Sequence, residues 1–314
     1  MKVYRSLDEF ENKGNAVVTT GTFDGVHYGH QKIISRLKEV ATQYKGESVI
    51  ITFFPHPRLV LFPEDNDLKL INTLEEKIAL LEKAGIDHLI IIPFTKEFSR
   101  LSSLEFIQEI LVDKIGTKKL VIGYDHHFGK NREGSFEHLK LYAPEYGFEV
   151  EEIPGQDIND VAVSSTKIRN AILNGNFEIA NRYLGYPFSI NGKVAKGDQI
   201  GRTIGYPTAN IQVPESYKLI PGDGIYAVKV NVNNIDYFGM LYIGNRPTVN
   251  GLNKVIEVNI FDFNEDIYDK NITVEFHKYI RGDKKLNGLD ELKAALAEDE
   301  VACRTFFNML MLGK

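Results

Sequence analysis

Gly21-Thr22-Phe23-Asp24-Gly25-Val26-His27-Tyr28-Gly29-His30 decides how the first half of this chain folds. It follows a β-rich pentad, Ala16 to Thr20. After it the apolar residues change period, with Ile33, Ile34, Leu37, Val40, Ala41 and Tyr44 on one helical face. The stretch is therefore a strand-to-helix turn. Its glycines let backbone approach a ligand closely, and the helix N-terminus behind it offers unpaired N–H groups and a positive dipole end, which suits phosphate. His27 and His30 stand beside that end, where protonated or hydrogen-bonding imidazoles stabilise charge on a reacting phosphate. Two histidines near a turn also suit a surface position or half of a metal site; the strand–turn–helix context favours the phosphate.

The same alternation continues outward. Ser48 to Phe54 is a short apolar run stopped by Pro55 and Pro57, as expected of a central strand in a parallel sheet. Leu74 to Ala84 reads as a helix ending at Gly85, His88 to Phe94 as a strand, Leu104 to Ile115 as a helix stopped by Gly116, and Lys119 to Gly123 as a strand. Repeated βα units imply a doubly wound α/β parallel sheet with helices on both faces, with ligands at the carboxyl ends of its strands. Near Leu184 helical patterns fade. Ile225 to Val230, Tyr237 to Ile243, Val255 to Phe263 and Ile272 to Phe276 read as strands, and a helix starts at about Leu289. This predicts a small antiparallel barrel or sandwich with a terminal helix. The expected domains are 1–185 and 186–314, in keeping with about 100–200 residues per domain.

Composition narrows the function classes. Hydrophobic residues at 43% and charged residues at 25% suit a globular chain. A formal net charge of −6 argues against a broad grip on a nucleic-acid backbone, yet leaves room for a local nucleotide pocket. Cys303 is the single cysteine, which excludes an internal disulfide and a thiolate zinc cluster. Asp8 and Glu9 arrive too early for the apolar core of a signal peptide, and no apolar run approaches the roughly 20 residues of a membrane span. The expectation is a cytoplasmic protein with neither nucleic-acid nor membrane partners.

Three further segments carry chemistry. Ser164, Ser165 and Thr166, followed by Lys167 and Arg169, open a helix running through Leu173. They make a polyphosphate clamp or, read alone, an N-cap. Gly192 to Gly205 is glycine-rich and basic, suiting a flap over phosphates; it lacks the Gly-Lys-Ser/Thr ending of a Walker loop and the companion motifs of protein kinases. Thr208 and Asn210, two apart on a strand, point the same way and offer neutral oxygens to Mg²⁺, or else form an ordinary turn-to-strand junction.

The combination is narrower than its parts. His27-x-Gly29-His30 resembles the signature of the nucleotidyltransferase superfamily. Residues 21–30, Phe54-Pro55-His56-Pro57-Arg58 and Ser164-Ser165-Thr166-Lys167-Ile168-Arg169 together resemble the FMN adenylyltransferase domain of bacterial bifunctional riboflavin kinase/FAD synthetases. Gly201-Arg202-x-x-Gly205-x-Pro207-Thr208-Ala209-Asn210, Gly244 to Thr248 and Glu257 to Phe263 resemble the riboflavin kinase signature, and the likeness runs over nearly the whole chain in the family's order. It implies a nucleotidyltransferase-like sheet followed by a small antiparallel β-barrel, with ATP as co-substrate, Mg²⁺, and riboflavin, FMN and FAD as substrates and products. By the same resemblance His27, His30 and Arg169 act on the reacting phosphates. Gly21, Phe23, Asp24, Gly29, Ser164, Ser165 and Thr166 hold ATP, and His56, Pro57, Arg58 and Asp125 face the flavin. In the kinase half Gly192, Lys193, Gly197 and Gly205 hold ATP, Thr208 and Asn210 hold the metal, and Glu257 is the base. Ile256, Val258 and Ile260 alternate with Glu257, which puts its carboxylate on the opposite face of the strand; a solvent-facing glutamate fits the same pattern. The chain departs from the family with His126 in place of an aromatic and with Asp283 and Leu286 in place of Glu and Phe. A flavin-binding sensor with a weakened adenylyltransferase site is the competing reading.

Overall fold

The computed structural model describes residues 1–11, 14–64, 68–124, 127–154, 163–197, 199–248 and 251–313. Its contacts divide the chain into two compact units, Met1–Ser165 and Thr166–Lys314.

The first unit is built on six parallel strands: β1 (Lys2–Tyr4), β2 (Ala16–Thr20), β3 (Glu47–Phe54), β4 (His88–Pro93), β5 (Thr117–Gly123) and β6 (Glu149–Ile153), in the order β1-β4-β3-β2-β5-β6. Successive residues of the inner strands enter different cores. Val18, Ile51, Ile90, Leu120 and Ile122 pack on one face; Val17, Ile50, Leu89, Ile91 and Val121 pack on the other. Such two-sided burial explains why these strands read as unbroken apolar runs, and each of these side chains contributes about 1.5–3 kcal/mol by leaving water. Helix α1 (Tyr28–Gln43) covers one face through Ile34, Leu37, Val40 and Ala41. The short α2 (Pro57–Leu61) and then α3 (Leu74–Lys83) follow β3. After β4 the chain returns to the far side of β2 to lay down β5, so the order reverses at β2/β5. That reversal makes the carboxyl ends of these strands the place where a crevice opens. Residues 21–30 follow β2, 55–58 follow β3, and the segment from Tyr124 follows β5, so the motif-bearing turns share one edge of the sheet.

The second unit is a closed antiparallel barrel, β10-β11-β8-β7-β12-β9, which decides between the two all-β forms that the sequence allows. Its strands are β7 (Ser189–Ala195), β8 (Ala209–Gln212), β9 (Gly224–Val232), β10 (Ile235–Thr248), β11 (Gly251–Ile260) and β12 (Asn271–Arg281). The helix Leu289–Leu312 lies on it through Ala295, Cys303 and Phe307. Arg281 clamps the buried Asp299 of that helix with two 2.7 Å bonds. The helices Ser165–Leu173 and Phe177–Leu184 belong largely to this unit by packing, although the composition changes only near residue 185. Phe177 is the reason: its ring stacks on Phe276 at 5.2 Å and meets Tyr226 at 5.6 Å. Asn181 adds a bridge, donating to Phe276 O and accepting from Phe188 N. Among the described residues no helix is long and apolar enough to cross a membrane.

Candidate active sites

The turn after β2 is strained where a ligand would approach. Phe23 and Val26 carry φ of +48° and +35°, flanking Gly25 at +89°. A β-branched residue in that region is a genuine outlier, and such outliers persist where surrounding contacts over-determine them. The contacts are visible. Asp24 is buried and its Oδ1 accepts from Ile71 N (2.9 Å) and Asn72 N (3.4 Å), while its carbonyl accepts from Ser165 Oγ (3.0 Å). Gly21 is needed because a Cβ there would press on the Phe23 ring at 3.2 Å.

His27 caps α1: its Nδ1 accepts from the His30 backbone N–H (3.4 Å), which leaves Nε2–H as its donor. The two imidazoles stack, with ring centroids 3.7 Å apart and planes 16° from parallel. Burial, then His27, then Lys77 hold His30 well below the ordinary histidine value. Of the two roles open to it, cation or neutral hydrogen-bonding group, His30 takes the second. Its Nδ1 is buried without a hydrogen-bond partner among the described residues, as expected of a group kept for a ligand. Gly29 is buried in the same first turn.

The remaining predicted residues of this half are more scattered. His56 caps α2 by accepting from Arg58 N (3.2 Å), Pro57 opens that helix, and Arg58 is exposed. Ser164 and Ser165 end the first unit, whereas Thr166 and Arg169 lie in the second, on the helix whose buried residues are Ile168 and Ile172. Asp125 and His126 lie outside the described residues. Phe128 and Gly129 are within them; Gly129 adopts φ +73° and a Cβ there would sit 2.7 Å from Ser103 N.

In the barrel, Glu257 on β11 pairs directly with Asn210 on β8, so the two side chains share a face. Tyr242 flanks Glu257 on the other side, and its hydroxyl bonds Asp283 Oδ2 at 3.1 Å, which gives one of the three departures from the family a structural role. The glycine-rich segment divides. Gly192 and Lys193 are on β7 rather than in a loop: Gly192 lets Gln212 O approach, and Lys193 pairs with Asp269 at 2.8 Å. Gly197 and Gly201 lie over the next segment, where a Cβ would strike the Asn210 carboxamide and Tyr206 O respectively. Gly205 turns the chain back with φ +89°.

Two residues were missed by the sequence reading. Asn259, two places after Glu257 on the same face, is buried and donates to Pro207 O at 2.7 Å, which anchors the segment leading to Thr208. Lys77 is buried beneath the Gly21–His30 turn. The signal for Lys77 was its place on the apolar stripe of α3, between Leu74 and Leu81.

Fold and sites together put the chain in the class of two-unit, nucleotide-using transferases. The FAD synthetase family model matches residues 9–167 and the riboflavin kinase model matches residues 184–307. Curated relatives described as bifunctional riboflavin kinase/FMN adenylyltransferase include one from Listeria monocytogenes, 40% identical over 94% of each chain. Another, from Escherichia coli, is 36% identical over 98% of this chain and 99% of its own. A solved structure described as a macrolide-efflux protein from Streptococcus pneumoniae is 33% identical, with a TM-score of 0.88 over 96% of this chain and 98% of that one. This chain belongs to the bifunctional riboflavin kinase/FMN adenylyltransferase family.

Proposed function

We propose that the two halves divide the family's two reactions, with residues 1–185 adenylylating FMN and residues 186–314 phosphorylating riboflavin. The enzyme uses ATP twice. In the first half an oxygen of the FMN phosphate attacks the α-phosphorus of ATP; the new P–O bond forms as the bond to the bridging oxygen breaks, and pyrophosphate leaves with the electron pair. His27 Nε2–H and the neutral His30 hydrogen-bond the reacting phosphates, which works best in a site already shielded from water. Gly21, Phe23, Asp24 and Gly29 form the ATP turn, Ser164, Ser165, Thr166 and Arg169 hold the polyphosphate, and His56, Pro57, Arg58 and Asp125 contact the flavin.

In the second half the riboflavin 5′-hydroxyl attacks the γ-phosphorus, its proton passes to Glu257, and ADP leaves. Gly197 and Gly205 shape the flap over the phosphates, and Gly192 and Lys193 support it from β7. Thr208 and Asn210 would hold Mg²⁺. Two neutral oxygens suit an ion that keeps water and phosphate in most of its coordination positions. Bound there, the ion would supply neutralisation of phosphate charge.

The observation that carries the kinase half is the register placing Glu257 opposite Asn210. ATP and free flavins as substrates fit a cytoplasmic enzyme. The sensor reading has no observation in its favour. The test is a time course with riboflavin, ATP and Mg²⁺, with the flavins separated. The parent should pass through FMN to FAD, and His30→Ala should stop at FMN. Loss of both reactions in a folded His30→Ala protein sinks the two-site reading.

A further inference from the structure

Lys77 sits on the buried face of α3 and is 5% exposed. Its ammonium donates to Thr22 O at 2.7 Å and reaches Thr52 Oγ1 at 3.4 Å; that hydroxyl also donates to Thr22 O, at 3.3 Å. The start of α3 is thus tied twice to the strained turn. Lys77 holds the carbonyl just before Phe23, and Asp24 holds the N–H groups of Ile71 and Asn72 just before α3. A lysine is a costly way to satisfy one carbonyl, since burial pulls its affinity for a proton down, to a pKa of about 8, against the opposing pull of Asp24. At neutral pH it is still charged, and its charge is one of the influences that keep His30 neutral. A methionine would fill the same space without desolvating an ion, so packing alone does not account for this residue.

We propose that Lys77 is a positioning residue for adenylyl transfer: its buried ammonium pins the Thr22 carbonyl, holds the Gly21–His30 turn in its strained form, and supplies a fixed positive charge beneath the polyphosphate. The proposal rests on the adenylyltransferase reading above. No covalent step passes through Lys77. It acts on Thr22 and, through space, on His30, so its removal alters how the phosphates are held and how His30 titrates.

The experiment compares the full-length parent, Lys77→Met and Lys77→Arg. FAD formation from FMN and ATP is measured beside riboflavin phosphorylation in the same samples, and the His30 imidazole is followed by NMR with His30→Gln to identify its signal. Lys77→Met should lower the turnover of adenylyl transfer by about 10²-fold, the usual cost of displacing a reacting centre by about 1 Å. The kinase should stay within about twofold, and the His30 midpoint should rise because a nearby cation is gone. Lys77→Arg, which keeps the charge, should recover about tenfold of the lost turnover and keep His30 close to its parent midpoint.

Adenylyl transfer within about threefold of the parent in Lys77→Met overturns the proposal, because a positioning donor contributes far more. Loss accompanied by disappearance of the folded His30 signal also overturns it, since Lys77 would then be only a structural tie. If the parent itself makes FMN but no FAD, the adenylyltransferase reading fails. The Lys77 assignment is then judged on binding of a non-hydrolysable ATP analogue and on the His30 midpoint: a shift in both upholds it, and no shift overturns it.

Discussion

Replacing Glu257 by Gln removes one negative charge from the face of β11 while keeping the size of the side chain. Glu257 is half-buried, its strand neighbours Ile256 and Val258 point into packed surroundings, and its own face is shared with Asn210 on one side and Tyr242 on the other. Opposed residues of this kind have Cβ atoms about 4.5–5.5 Å apart, so on the proposed reading the carboxylate would lie beside the ion assigned to Asn210. Glutamine keeps the shape and one carbonyl oxygen but takes up no proton. General bases contribute about 10²–10⁴-fold, equivalent to about 2.7–5.4 kcal/mol of barrel-site activation free energy at 1.36 kcal/mol per tenfold. Thermal stability should change little, because the substitution preserves volume and leaves no new cavity. The assay measures riboflavin phosphorylation and FMN adenylylation side by side. We expect kinase turnover to fall through that range, riboflavin binding to persist, and FAD synthesis from supplied FMN to match the parent. Asn210→Ala should instead raise the Mg²⁺ concentration that the kinase requires. Kinase turnover in Glu257→Gln within about twofold of the parent would make Glu257 an ordinary strand residue, since that is far below the effect of losing a base.

Two further outcomes follow from packing. Gly197→Val should impair the kinase by at least about tenfold while sparing FAD synthesis, because any Cβ at that position strikes the Asn210 carboxamide and a displacement of about 1 Å is costly at a reacting centre; unchanged kinase kinetics would refute the closeness of flap and strand. A fragment of residues 166–314 should be more stable than one of 186–314 by about 3–5 kcal/mol, the usual cost of losing a buried phenylalanine, because the longer fragment keeps Phe177 between Phe188, Tyr226 and Phe276; equal urea midpoints would show that the two helices add nothing to the barrel.

The four inner strands of the parallel sheet were legible, whereas the edge strands β1 and β6 were not read from the sequence. Ala16–Thr20, the start of α1 at Tyr28, and β3 ending at Phe54 before Pro55 fall where the change of apolar period and the prolines put them, because local periodicity and turn chemistry act over a few residues. The position of the Gly21–His30 turn was legible for the same reason: its histidines and glycines are contiguous. Other features depended on contacts between distant residues. Nothing local announces that β7 begins at Ser189 and carries Gly192 and Lys193, since that strand is defined by its pairing with β8 and β12. The grouping of Phe177 with the barrel rests on Tyr226 and Phe276, far along the chain, so the change in composition near 185 and the change in packing at 165 need not coincide.

By itself the sequence determined which residue types were available for phosphate chemistry and in what order they occur, because those motifs are short and their spacing is set by the chain. Tertiary structure decided where each of them sits and what surrounds it. It alone put Glu257 opposite Asn210, buried Lys77 against Thr22 O, and pushed the His30 imidazole well below the ordinary histidine value. Register, desolvation and the charges felt by a buried group are set by residues far apart in the chain, and they exist only once strands pair and water is excluded.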